Sequence, residues 1–265
     1  MKSKKIIMLT AGILLLGGII IAGAAAAMGA LTKTGPVLQT KSFPSEGVFK
    51  IDIDLSFDDI YITTKDISEI KVTCYTGKTK DYRISTEDGV FTMQTMPASE
   101  LNKRWYDYID INFCNTGRVT VELPKDLAPE FDLHTDYGDI KATNLQGTVH
   151  ASASAGDIEL ERSAFLKLEC IAEFGDIDLE DVSADVLSAD NSCGDIDFEN
   201  IVSDSMRFSC QFGDISGTID AAKSEFAISA KTEFGDCNLS NQANGLYDLT
   251  AENECGDIKI KFNRP

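Results

Sequence analysis

The fold is decided between residues 155 and 199, where the chain reads AGDIELE at 155–161, FGDIDLE at 174–180 and CGDIDFE at 193–199. In each segment a Gly-Asp pair is followed by alternating apolar and acidic residues. Alternation with period two puts successive side chains on opposite faces of a β-strand. The same pair recurs as Gly138-Asp139, Gly156-Asp157, Gly175-Asp176, Gly194-Asp195, Gly213-Asp214, Gly235-Asp236 and Gly256-Asp257, with glycine spacings of 18, 19, 19, 19, 22 and 21. Phe57-Asp58-Asp59-Ile60 is an earlier, degenerate copy. A fixed period near 19 marks a repeat architecture in which no single unit buries its own apolar face.

Counting from each glycine sharpens the pattern. Seven residues before it stand Phe131, Val149, Leu168, Leu187, Met206, Ile228 and Leu249, and two after it stand mostly isoleucines. The position just before it holds Tyr137, Ala155, Phe174, Cys193, Phe212, Phe234 and Cys255, which the same alternation assigns to the interior. Each repeat therefore reads as strand, Gly-Asp corner, strand, turn. Glycine permits the corner's backbone angles, and aspartate hydrogen-bonds nearby amides. The expected fold is an all-β solenoid, one coil per repeat, stacked in chain order and rising about 4.8 Å per coil. Lys259 and Lys261 on the last strand, with Pro265 after it, are expected to guard the open edge.

Residues 48–124 alternate less regularly and read as an irregular β entry cap, with 125–265 as the repeat solenoid. Residues 32–47 form a Pro-, Gly-, Ser- and Thr-containing linker. Before it, Lys2, Lys4 and Lys5 in a 1–5 tail precede an uncharged run over 6–31, long enough to span a bilayer as one helix. The lysines place that tail in the cytoplasm and the bulk outside the cell membrane. A cleaved signal peptide ending near Ala22–Ala27 is the alternative.

The chain of 265 residues carries a formal charge of −19, which excludes nucleic acid as a partner because phosphate binding needs a basic surface. Glu159, Asp178 and Asp197 recur three residues after the corner glycine, and Glu161, Glu180 and Glu199 five after it, so consecutive coils share one acidic face. A solvated, salt-screened face is the plain reading. A calcium-binding face is the sharper one, and a cationic peptide is a third. Five of the seven cysteines, Cys170, Cys193, Cys210, Cys237 and Cys255, fall on inward positions and read as buried thiols. Cys193 and Cys255 lie three coils apart, and Cys74 with Cys114 is the candidate disulfide. His134 and His150 read as surface residues on adjacent coils. Trp105-Tyr106-Asp107-Tyr108 reads as an aromatic plug or a sugar-stacking set.

The run from Val119 through Leu123-Pro124 to Leu127, followed by Phe131 to Ile140 and the serial Gly-Asp-Ile copies, resembles the bacterial adhesin-like family of Gly-Asp repeat β-solenoids. That resemblance implies the solenoid fold over residues 47–262. It also points to membrane-anchored members near Lia-type envelope-stress systems, and it carries over no catalytic residue. The expected function is a non-enzymatic, adhesin-like binding or scaffold module of the cell envelope, meeting an unknown envelope protein, polymer or cationic peptide. An accessory ectodomain in envelope-stress sensing is the alternative, and a carbohydrate-active enzyme the remote one. No cofactor is expected beyond calcium.

Overall fold

A computed structural model describes residues 36–77, 80–97, 99–101 and 117–264. Nineteen strands and one short 3-10 turn make up these residues. They form two facing sheets, joined where one long strand passes from one to the other. Each coil lays one strand in the back sheet, turns at the Gly-Asp corner, and lays a shorter strand in the front sheet.

The first coil consists of β2 (Lys50–Leu55) and β3 (Asp58–Lys65), and the second of β8 (Glu130–Thr135) and β9 (Ile140–Thr143). β10 (Gln146–Ala155) and β11 (Ile158–Glu161) make the third, and β12 (Ala164–Phe174) and β13 (Ile177–Glu180) the fourth. β14 (Ser183–Cys193) then runs into β15 (Ile196–Phe212), whose second half opens the coil completed by β16 (Ile215–Ala222). All coil-to-coil pairings are parallel, with register shifts only at Gly147/Thr148, Phe198/Ile201 and Ile219/Ala222, and the corner-flanking strands match position for position, for example Ile158 with Ile177 and Ile177 with Ile196. Identical positions therefore stack in columns, as the equal spacings require.

Two expectations change at the C-terminal end. The coils do not stack in chain order. β17 (Phe226–Phe234) pairs only with β18 (Tyr247–Cys255), while β18 pairs with both β17 and β15. β19 (Ile258–Arg264) lies on β16. The coil of Gly256 thus sits inside the coil of Gly235. Cys193 and Cys255 stand two rungs apart, with Phe212 between them, rather than three. The Gly213-to-Gly235 spacing of 22 residues supplies the step: the 3-10 turn Lys223–Glu225 carries the chain past the empty rung. The open edge is consequently not β19. Asn238 N–H donates to the Ile258 carbonyl, and Gln242 bridges Ile228, so the segment after β17 covers both β19 and the outer strand.

At the other end, β6 (Val90–Thr95) and β7 (Gly117–Pro124) stack in parallel on β2 and β3. β4 (Glu69–Thr76), β1 (Val37–Pro44) and β5 (Tyr82–Glu87) add antiparallel pairs outside them. The first coil therefore packs directly against the repeats, between them and these outer strands.

The core is the space between the sheets, filled by columns such as Phe131, Val149, Leu168, Leu187 and Met206 against Ile140, Ile158, Ile177 and Ile196, all at most 1% exposed. The turn back from front to back sheet uses left-handed residues at a fixed place: Asn144, Arg162, Asp181 and Asn200 have φ between 48° and 57°. Asparagine and aspartate tolerate that region better than other side-chain-bearing residues.

Candidate functional site

The Gly-Asp corners form one straight ridge along the solenoid. Gly175 has φ of 144°, and a Cβ there would lie 2.2 Å from the Gly156 carbonyl oxygen, so coils approach at backbone distance. Beside the glycines runs a ladder of aspartates. Asp176 N–H donates to Oδ1 of Asp157, Asp195 N–H to Asp176 and Asp214 N–H to Asp195, at 2.7–2.8 Å. The ladder continues in the observed stacking order, from Asp257 N–H to Asp214 and from Asp236 N–H to Asp257, both 2.8 Å. The corner aspartates Asp139 and Asp157 join it at 3.2 and 3.1 Å, starting from Asp59. The amide of Asp236, assisted by Lys259, holds the Asp257 carboxyl below the usual carboxylate range.

A third column supports the ridge from inside. Three residues before the glycine in four of the seven repeats, Thr135, Asn191, Thr232 and Asn253 donate to the carbonyl at the glycine position of the neighbouring coil, on Asp58, Gly175, Gly256 and Gly213, while Ala153 and Ala172 take that place in two others. The Cys210 thiol reaches the Gly194 carbonyl at 3.4 Å. Inward thiols such as Cys170 and Cys210 are buried as expected, and burial pushes Cys210 up to about 11.

The residue just before the glycine, expected inside, points out. Tyr137 is 65% exposed, Phe174 61%, Phe212 55% and Phe234 73%. The last inward residue is the supporting one three before glycine. The bend from sheet to sheet therefore starts two residues earlier than alternation suggests. Cys193 and Cys255 share this column, are half-buried and are not core residues, whereas Cys237, beyond its own corner, is half-buried and packs against the core as expected.

The acidic columns assemble on the front sheet as the spacing requires. Registers run Lys141, Glu159, Asp178, Asp197, Ser216 and Lys259 in one column and Thr143, Glu161, Glu180 and Glu199 in the next. The six carboxylates from Glu159 to Glu199, with Ser216, line an open depression of about 380 Å³. Lys141 pairs with Glu159 at one end, and the Ser216 hydroxyl donates to Asp197 at the other. Partial burial, then the neighbouring Asp197 and Glu159, raises the Asp178 carboxyl above its ordinary value. Among the described residues no three His, Cys, Asp or Glu side chains converge to hold a single metal ion.

Each histidine faces a carboxylate rather than the other histidine: His134 lies 3.4 Å from Asp136 and His150 3.7 Å from Glu169. The degenerate first corner holds a feature the pattern did not signal. Asp58, where later coils have glycine, is fully buried and accepts hydrogen bonds from Lys80 and, at 2.9 Å, from the Tyr82 hydroxyl. Burial raises its carboxyl, and Lys80 opposes the rise. Cys74 is buried in β4, whereas Cys114, the Trp105–Tyr108 set and the 6–31 segment lie outside the described residues. No helix among the described residues is long and apolar enough to cross a membrane.

A two-sheet solenoid with an aspartate-laddered corner defines an all-β repeat class. Residues 48–265 match the Toastrack DUF4097 family, and the chain belongs to it. Two solved structures resemble it. A "putative adhesin" from Bacteroides fragilis NCTC 9343 is 15% identical with a TM-score of 0.52, over 85% of this chain and 97% of that one. A "putative cell adhesion protein" from Clostridium sporogenes ATCC 15579 is 13% identical with a TM-score of 0.43, over 86% of this chain and all of that one. At such identity the first likeness speaks for the fold alone. No curated protein matches the chain.

Proposed function

We propose that this protein is a non-enzymatic, adhesin-like binding module, held outside the cell membrane by residues 6–31; of the expected 32–47 linker, Val37–Pro44 is strand β1 of the domain, paired with β4, so the spacer ends before it. The observation that carries this reading is the columnar surface. The aspartate ladder repeats at every corner and the acidic face over three consecutive coils, which suits a linear or repetitive partner rather than one singular reaction centre. The uncharged 6–31 run after three lysines supports the anchoring, and the likeness to the putative adhesin of Bacteroides fragilis agrees with the binding role.

The test is fractionation and protease shaving of cells expressing the full chain. The expected result is retention in the membrane fraction, with residues 36–264 digested from outside intact cells. Full protection from external protease overturns the placement. Washed envelope fragments are then mixed with the solubilised chain, and failure to retain it overturns the binding role.

A further inference from the structure

Exposed aromatic rings are unevenly distributed. Among the described residues six large aromatic side chains are exposed, and five of them, Phe57, Tyr137, Phe174, Phe212 and Phe234, stand in the single column before the corner glycine. In the observed stacking order that column reads Tyr137, Ala155, Phe174, Cys193, Phe212, Cys255, Phe234. From Tyr137 onward large and small residues alternate, with Phe57 beside Tyr137 at the head of the column. Chain order would have set Phe212 next to Phe234, so the exchanged coils create the alternation.

Only Phe57 and Tyr137, on adjacent coils, stack on each other, with centroids 5.3 Å apart. From Tyr137 onward successive rings are two rungs apart, about 9.6 Å, beyond the range of ring–ring contact. They are not held by one another, and nothing in the core demands them. Beside them runs the aspartate ladder. One oxygen of Asp157, Asp176 and Asp195 accepts an amide, and the second has no protein donor among the described residues.

We propose that this ridge is a binding track for an extended, neutral β-1,4-linked glycan lying along the solenoid axis; the inference rests on the binding role proposed above and names its ligand. A β-1,4-linked pyranose advances its chain by about one strand spacing, and successive sugars turn over. The same sugar face therefore returns every second residue, in step with a ring on every second coil. Rings present apolar surface for those faces, and the free aspartate oxygens accept hydroxyl hydrogen bonds.

Other occupants fit less well. An extended peptide repeats its face every two residues, about 6.6–6.8 Å, out of step with the rings. A second copy laid ridge to ridge would oppose two rows of aspartates, and like charges at that distance repel.

The experiment is calorimetric titration of the detergent-solubilised full chain with cellohexaose, chitohexaose and the α-1,4-linked maltohexaose. The expected result is saturable binding of at least one β-1,4-linked probe, none of maltohexaose, and a Kd weakened about tenfold or more in the Phe174→Ala/Phe212→Ala double variant. Phe49→Ala removes an exposed ring away from the ridge and is expected to bind normally. The melting temperature of each variant checks the fold. Failure of both β-1,4-linked probes to bind, equal binding of maltohexaose, or undiminished binding by a folded double variant overturns the track. If the chain still holds to envelope fragments when the probes fail, the ligand is wrong and the binding module stands. If neither binds, both fall.

Discussion

Oδ1 of Asp176 accepts the backbone N–H of Asp195 at 2.8 Å, one coil away. The side chain thus serves as a rung between coils, at the place where the backbone turns and cannot continue the sheet ladder. Asn at 176 keeps an acceptor oxygen and is expected to cost less than about 1 kcal/mol, whereas Ala removes it and costs about 1–2 kcal/mol. Val at Gly175 must adopt φ near 144° and drive its Cβ into the Gly156 carbonyl. It is expected to cost more than either, about 3 kcal/mol or more. Urea unfolding of the three variants orders them, and equal midpoints for Gly175→Val and Asp176→Asn would refute the corner geometry.

Arg162 occupies the left-handed position that Asn144, Asp181 and Asn200 fill on other coils. Its ion pair with Glu161 is exposed and contributes little. Arg162→Asn is therefore expected to stabilise the protein by about 0.5–1 kcal/mol, seen as a melting temperature about 2–3 °C higher. A lower melting temperature would show that the guanidinium matters more than the backbone.

Asp178 stands between Glu159 and Asp197 in one column. Its carboxyl is raised in the folded state, so the charged form is disfavoured there, and stability from this group grows as the pH falls through the folded value. Asp178→Asn is expected to raise the melting temperature at pH 7 by about 1–3 °C. The advantage shrinks as the pH falls through the raised titration range of the wild-type carboxyl, and shrinks in high salt. Melting curves across pH and salt check both; an advantage that grows on acidification is the contrary result.

Lys80 reaches the buried Asp58 carboxylate from a partly exposed position. Lys80→Met leaves that charge with only the Tyr82 hydroxyl and is expected to cost about 2–3 kcal/mol at pH 7. Because burial already raises the Asp58 carboxyl, protonation relieves the variant, and part of the loss returns as the pH falls. Chemical unfolding at pH 7 and pH 5 tests this. A deficit unchanged between the two would place the cost in packing.

Strand, corner and column were legible because a solenoid repeats its side-chain chemistry as well as its backbone. Leu168, Ile177 and Leu179 are buried where period two puts them, and Glu159, Asp178 and Asp197 share a face. Phe174 was misplaced because period two cannot say where a bend begins, and an exposed aromatic looks like core in a one-dimensional pattern. The available signal was the supporting column: polar Asn191 and Asn253 at an inward position make sense only beneath a turn. Arg162 hid the second turn, which Asn144, Asp181 and Asn200 otherwise announce. The exchanged coils were marked only by the longer spacing after Gly213, because parallel registers are equally good in either order and length alone recorded the detour.

That detour has a consequence for how the molecule is made. On a ribosome, β17 emerges before β18, yet its only strand partner is β18. The outermost rung is thus synthesised with nowhere to dock until residues 247–264 arrive and wedge beneath it. The earlier coils can assemble as the chain lengthens, but closure of the far end waits for β18 and β19, so a nascent chain stalled before they emerge leaves β17 as an unfinished, sticky edge.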